Sequence, residues 1–336
     1  MWGGSLPRAR GGRAQARVVY SRTRTPWPRR RKRRGLPGNA AKRVILRHSA
    51  VAQTQAKGMF RASQGLQDAL LLGLLALAFA PALAAMARVW GSVDYLSHGF
   101  LIPLVAGWAA WRDRARLAEL PARRDRRGLF LLVLALLVYG LGLAAGLVAL
   151  EGAAFVAAVA ASVLLLRGPL WLRALGFPIG FLLFMVPPPE AWLLPLIVWL
   201  RLLVTTVAVG VLHALSIPVM QEGNVLVLPG GESVFVADAC SGVTSLITLL
   251  PLAVLLAYYV ERSLARRLML VASVVPIALG GNLLRVVVTV IAALGVGVAR
   301  ATESALHQVA GLLTYLLGCL ALLAVSAILR RVAPSR

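Results

Sequence analysis

The sequence predicts an all-α polytopic membrane protein of about eight transmembrane helices, with a small extracytoplasmic β-hairpin ahead of Cys240. Two observations support this fold class. Of the 336 residues, 59% are hydrophobic and only 14% are charged, whereas soluble domains carry roughly 25% charged residues. Several apolar runs also approach or exceed the roughly 20 residues that cross a bilayer. A soluble globular domain is therefore excluded.

The chain begins with a strongly basic segment. Residues 1–58 contain no Asp or Glu, and the first acidic residue is Asp68. We expect residues 1–66 to be a disordered cytoplasmic tail, because such a block repels itself and has little to bury. A translation start at Met59 is the alternative. The tail could bind nucleic acid or anionic lipid, but fixing the membrane orientation explains its charge equally well, and we expect no nucleic-acid partner. The predicted transmembrane domain spans residues 67–332.

Nine apolar runs follow one another along this domain. They cover about 69–87, 99–111, 128–150, 153–166, 174–186, 191–215, 241–260, 268–294 and 306–329. Run 191–215 contains Arg201 and is expected to lie flat on the outer surface, which leaves eight spans. Between this run and Cys240, two β-branched stretches flank Pro229-Gly230-Gly231 and predict the hairpin.

Clusters of arginine orient the spans. Seven arginines lie between residues 112 and 127, and Arg262, Arg266 and Arg267 precede run 268–294. Loops rich in Lys and Arg remain in the cytoplasm. Run 241–260 therefore starts outside, and Arg285 lies roughly 26 Å along the next helix at 1.5 Å per residue. In a hydrocarbon core about 30 Å thick this position is near the outer side.

Three reactive side chains converge at this depth. Cys240 precedes one helix, Arg285 lies near the outer end of the next, and His307 opens the last run. The positive end of a helix dipole stabilises a thiolate. Arginine stabilises an oxyanion, and histidine transfers a proton. We therefore predict Cys240, Arg285 and His307 as catalytic residues at the outer membrane face.

The remaining candidate residues are assigned to supporting or structural roles. Asn282 shares a helix face with Arg285 and either orients it or joins helices, whereas Gly311 shares a face with His307 and is expected to permit close helix packing. His213 is expected to be structural. Cys319 lies inside the last apolar run, so no disulfide framework is expected. The scattered His and Cys residues predict no metal site, and no cofactor is expected.

Four motifs resemble the exosortase/archaeosortase family of membrane-embedded cysteine transpeptidases. They are Tyr95-Leu96-Ser97-His98-Gly99-Phe100-Leu101-Ile102-Pro103, Ala239-Cys240-Ser241-Gly242, Asn282-Leu283-Leu284-Arg285 and His307-Gln308-Val309-Ala310-Gly311. The motifs occur in order, and the resemblance covers about residues 69–330. Thr244 stands where family members often carry Arg or Asn, so the subfamily and its exact sorting motif stay open.

The resemblance implies an activity and a location. It implies Cys240 as nucleophile, completed by Arg285 and His307 and supported by Asn282, Ser241 and Gly242. The substrates would be membrane-anchored exported proteins with a C-terminal sorting signal, namely a short Pro-Glu-Pro type motif, a transmembrane helix and a basic tail. The enzyme would sit in the bacterial inner membrane with its site facing the periplasm. An exopolysaccharide or other surface acceptor could receive the cleaved protein.

Two other function classes remain open from the residues alone. A transporter or flippase for exopolysaccharide or lipid precursors would use Asn282 and Arg285 to bind its substrate. A non-enzymatic assembly protein would tolerate substitution of all three predicted catalytic residues. Cys240→Ala distinguishes the enzyme from the transporter, because this substitution abolishes the activity of the enzyme and leaves transport unchanged.

Overall fold

The computed structural model describes residues 65–235 and 242–332 apart from residue 304. It does not describe the side chains of residues 302, 303, 305–308, 310 and 332. Nearly all of the predicted tail at residues 1–66 lies outside the described residues, as do Cys240 and Ser241.

The described chain is almost entirely helical, and one small sheet interrupts it. The helices are α1 (Gly65–Ala78), α2 (Ala80–Ser92), α3 (Ile102–Arg112), α4 (Arg114–Glu119), α5 (Arg127–Ala145), α6 (Val148–Arg167), α7 (Pro169–Ala174), α8 (Gly176–Phe181), α9 (Glu190–Ala214), α10 (Val243–Val260), α11 (Leu264–Ala272), α12 (Val274–Val296), α13 (Val298–Glu303) and α14 (Ala305–Val332). Two 3₁₀ segments, Asp94–Phe100 and Leu182–Met185, precede α3 and follow α8.

The chain is a multi-pass membrane protein, as predicted. By length and composition, the described residues contain six spans: Arg127–Ala145, Val148–Arg167, Glu190–Ala214, Val243–Val260, Leu264–Val296 and Gly311–Arg331. The pair α1 and α2, bent by 51°, makes seven if it counts as one span. Seven differs from the predicted eight in three runs. Run 99–111 forms only an 11-residue helix after a 3₁₀ segment and run 174–186 forms two short pieces, so neither counts as a span, whereas run 191–215 does.

Run 191–215 is the run that we expected to lie flat on the outer surface. It folds as one continuous helix, α9, whose 25 residues include Pro195 and Arg201. Its length and composition are those of a spanning segment. Pro195 lies in the second turn and has no N–H to donate to the carbonyl of Ala191, yet the chain continues past it as a helix. The single charge of Arg201 is therefore compatible with an uninterrupted apolar helix.

The α5–α6 hairpin is closed by glycines. Gly128 is buried against the backbone of Leu165, a contact that a larger residue would prevent. The turn between the helices begins at Gly146, whose φ of 64° is readily adopted only by glycine. The hairpin carries the arginine-rich loop at one end and residues 146–148 at the other.

The predicted hairpin forms, and it carries a third strand. Strand β2 (Val225–Val227) pairs antiparallel with β3 (Ser233–Phe235), and β1 (Met220–Glu222) pairs on the other side of β2. Leu226 is fully buried and packs with residues of α9 and α12. His213 Nε2 lies 2.8 Å from the carbonyl oxygen of Val219, which fits its expected structural role.

Helices α10, α12 and α14 pack together around Leu249, Ala253 and Leu322. At the end of this bundle near Arg262, Arg266 and Arg267, the buried carboxylate of Glu261 accepts a 2.7 Å hydrogen bond from Ser326 Oγ. Arg266 Nη1 lies 3.8 Å from the other carboxylate oxygen. This network joins the chain that follows α10 to α11, which carries Arg266, and to α14, which carries Ser326.

Candidate functional site

Helix α12 carries two of the predicted site residues on one face. Asn282 is 3% exposed, and Arg285 lies three residues later and is half-buried. Residues three apart on a helix are neighbours on its surface. The side chains of Asn282 and Arg285 therefore lie side by side.

The chain that enters α10 packs against Asn282. Gly242 is buried, and a Cβ at its position would lie 3.6 Å from Asn282 Cβ and 3.5 Å from Leu279 Cδ2. Its φ of 84° is a left-handed conformation that L side chains rarely adopt. A glycine is thus required for the chain to turn into α10 here. Cys240 lies two residues before Gly242, outside the described residues.

Arg285 lies against the opposite neighbour, α14. A Cβ at Gly311 would lie 3.3 Å from Arg285 Nη2 and 3.4 Å from Cζ. The close packing expected at Gly311 is present, and it accommodates the guanidinium. His307 lies in the first turn of α14, one turn before Gly311 on the same helix face by the i, i+4 spacing. Its side chain is not described.

The earliest motif also reaches this region. Tyr95, in the 3₁₀ segment Asp94–Phe100, packs on a buried cluster that includes Leu193 of α9 and Val243 of α10, and Leu279 of α12 packs on the same cluster. His98 Nδ1 lies 3.2 Å from the carbonyl oxygen of Tyr95. The residue pattern alone does not predict that Tyr95 lies near the site. Only the resemblance of its motif to the family motif does.

A cavity of about 470 Å³ lies beside these residues. Tyr95 and Leu193 line it and also pack on Val243, so one of its walls adjoins the start of α10. The remaining walls come from α2, the α5–α6 turn and the segment before α9; they include Val89, Val93, Leu96, Leu147, Pro187, Pro188, Pro189 and Glu190. Its size is typical of a ligand site. The cavity, named the outer cavity below, is mainly apolar.

The arrangement supplies a fixed positive charge in partly apolar surroundings. A guanidinium is charged at any physiological pH and donates hydrogen bonds in a planar fork. Such a group can stabilise a developing oxyanion or a thiolate. Among the described residues, no cluster of three or more His, Cys, Asp or Glu could hold a metal ion.

The fold and the site define a multi-pass α-helical membrane protein with polar groups gathered where α10, α12 and α14 meet. A family model described as transmembrane exosortase matches residues 90–324. The match covers more than half of the chain and includes all four motifs, so the protein belongs to the transmembrane exosortase family. No curated protein and no solved structure matches the chain.

Proposed function

We propose that the protein is a cysteine-type membrane protease and transpeptidase, with Cys240 as nucleophile and Arg285 and His307 completing the site. One observation carries the proposal. Asn282 and Arg285 lie three residues apart on α12. Asn282 contacts Gly242, two residues after Cys240, and Arg285 contacts Gly311, one turn after His307. Three motifs separated in sequence thus meet on one helix.

The proposed reaction forms and breaks one bond in each step. The thiolate of Cys240 attacks the carbonyl carbon of the scissile peptide, and the resulting oxyanion is stabilised by Arg285. His307, which has taken the thiol proton of Cys240, gives that proton to the leaving amine as the carbonyl re-forms and the C–N bond breaks. The thioester that remains is attacked by water, giving a free carboxyl group, or by an amine, giving a new amide. In both cases the thiolate of Cys240 is regenerated.

Asn282, Ser241 and Gly242 have positioning roles in this scheme. Asn282 is buried between Arg285 and the chain that enters α10, so it holds both in register. Gly242 allows the left-handed turn into α10. Ser241, between the nucleophile and this turn, belongs to the same motif. Since chemistry depends on placement within about 1 Å, substitutions here affect rate more than stability.

The proposed substrates are exported proteins that carry a C-terminal signal of a short motif, one transmembrane helix and a basic tail. The outer cavity supports this class, because it offers an extended segment a mainly apolar pocket beside the start of α10. The proposed location is the bacterial inner membrane, with the site facing the periplasm; the arginine-rich loops support this orientation, because such loops remain in the cytoplasm. A surface polymer such as an exopolysaccharide is the proposed acceptor.

The test is co-expression of a tagged protein with such a signal, together with wild-type enzyme or a variant. The matched control is Cys319→Ala, since Cys319 is the other cysteine of the chain and lies within α14. We expect wild type and Cys319→Ala to remove the signal and Cys240→Ala to leave it intact, by gel shift and mass spectrometry. Equal processing by Cys240→Ala would refute the nucleophile. Transport of a glycan or lipid precursor that survives Cys240→Ala would favour the transporter.

A further inference from the structure

A second cavity lies at the other end of α6, away from the candidate site. It has a volume of about 330 Å³ and is formed by α1, α6 and the chain after α6. Most of its lining is apolar, including Leu72, Leu75, Ala76, Phe79, Phe155 and Val159. Ser162 also lines it, but its hydroxyl donates within α6 to the carbonyl of Ala158 at 2.7 Å. The interior therefore offers apolar contact. This cavity is called the inner cavity below.

Charged groups surround the mouth of the inner cavity. Asp68 and Arg167 line it, and Arg124 Nη2 and Arg167 Nη2 lie 3.1 Å and 3.2 Å from the two oxygens of the Asp68 carboxylate. The carboxylate is only 12% exposed, whereas each arginine side chain is 44% exposed. Asp68 thus holds both arginines in place while nearly half of each arginine side chain remains accessible.

The mouth carries a net positive charge. Two guanidinium groups share one carboxylate, and each has five N–H donors, more than Asp68 can accept. The Arg167 guanidinium also lies 5.5 Å from the ring centroid of Trp171, which lines the same cavity. Arginine clusters next to a membrane helix attract anionic headgroups at about 1 kcal/mol for each residue.

The inner cavity also opens where lipid is expected. Leu72, which lines the cavity, is 53% exposed, and on the opposite face of α1 Leu70, Leu74 and Leu77 are 58%, 65% and 73% exposed, as expected for a helix that is surrounded by acyl chains. An apolar groove on such a surface excludes water and is filled by hydrocarbon. The occupant must therefore combine an apolar chain with an anionic head at the depth of the arginine-rich loop.

We propose that the inner cavity binds one anionic phospholipid from the leaflet on the arginine-rich side, with an acyl chain between α1 and α6 and its phosphate on Arg124 and Arg167. Asp68 orients the two guanidinium groups. Trp171 and Arg167 together form the side of the site nearest the headgroup. Neither the candidate catalytic residues nor the outer cavity takes part.

The test measures lipid binding to the purified full-length protein in mild detergent, by native mass spectrometry and by thermal unfolding. Phosphatidylglycerol and phosphatidylcholine with identical chains are compared, with glycerol phosphate as the soluble headgroup. We expect wild type to prefer phosphatidylglycerol by roughly thirtyfold, as two arginines would give, and to ignore glycerol phosphate.

Four variants separate the contributions. The double change Arg124→Gln with Arg167→Gln should abolish the preference, and the double change to Lys, which keeps the charge and the pairing with Asp68, should retain most of it. Ala76→Phe, which fills the cavity and leaves its charge unchanged, should weaken binding of both lipids. Arg114→Gln removes an exposed arginine on the same side and should have no effect.

Three results would overturn the proposal. Equal affinity for the two lipids would exclude recognition of the anionic head. Binding of glycerol phosphate as strong as that of the lipid would indicate a soluble anion site. A loss in Arg114→Gln as large as in the double glutamine variant would assign the preference to general surface charge.

Discussion

The guanidinium of Arg285 lies against Gly311, so closely that a Cβ at position 311 would come within 3.3 Å of Nη2. This contact joins α12 to α14 one turn from His307. It makes position 311 part of the environment of an arginine that the proposed reaction requires.

Gly311→Ala should separate stability from activity. Alanine favours a helix by about 1 kcal/mol over glycine, so thermal stability should hold or rise. The added methyl group displaces Arg285, and we expect substrate processing to fall by about tenfold, because small misplacements near the chemistry are costly. Gly280→Ala is the matched control on α12, since a Cβ there meets open space. Equal activity of the two variants would refute the importance of the contact.

Arg285→Lys tests whether the planar fork matters in addition to the charge. Lysine keeps the positive charge but loses bidentate donation. We expect kcat to fall by about 10² to 10³, the range seen on removal of an oxyanion donor. The control is Arg88→Lys, since Arg88 is an exposed arginine on α2. Its rate in the same single-turnover assay should equal that of the wild type. Full activity of Arg285→Lys would leave only an electrostatic role.

Gly242→Ala tests the turn into α10. The left-handed φ of 84° costs a residue with a Cβ roughly 1–2 kcal/mol. Gly223→Ala applies similar strain at a φ of 65° in the β1–β2 turn. We expect both variants to lose comparable thermal stability, but only Gly242→Ala to lose processing, because the adjoining Cys240 segment shifts. Equal loss of processing in the two variants would show that strain anywhere inactivates the protein.

Leu147→Trp tests the outer cavity as the substrate site. Leu147 lines this cavity and is 50% exposed, so a larger side chain can occupy it without disturbing the core. We expect kcat/KM to fall by about tenfold, mainly through KM, with stability unchanged. Leu141→Trp, at a 64% exposed position on α5, is the control. An unchanged KM for Leu147→Trp would place the substrate elsewhere.

The fold class could be predicted from the sequence because long apolar runs and arginine loops are strong, local signals. Strand β1 could not, since Met220-Gln221-Glu222 lacks β-branched residues and forms a strand only by pairing with β2. The sequence also predicts one apolar run over 99–111 and does not show that this region divides into a 3₁₀ segment and the short helix α3. Apolar composition alone does not mark where a helix breaks inside a bundle.

The site was predictable in part. Loop charges predict that Cys240, Arg285 and His307 lie at one depth; this convergence stays a prediction, since Cys240 and the side chain of His307 lie outside the described part. The contacts of Asn282 with Gly242 and of Arg285 with Gly311 depend on how α12 is rotated between α10 and α14. Sequence spacing fixes faces within a helix but does not identify the helix that each face meets.

The most direct measurement is the mass of the enzyme during turnover. Purified protein is mixed with a signal-bearing substrate, quenched in acid and examined by intact-mass and peptide mass spectrometry. We expect an adduct with the mass of the substrate's N-terminal fragment less one water, mapped to Cys240, removed by hydroxylamine as a thioester and absent from Cys240→Ala, while the C-terminal signal is released. An adduct mapped to Cys319, or turnover by Cys240→Ala at the wild-type rate, would contradict the proposed mechanism.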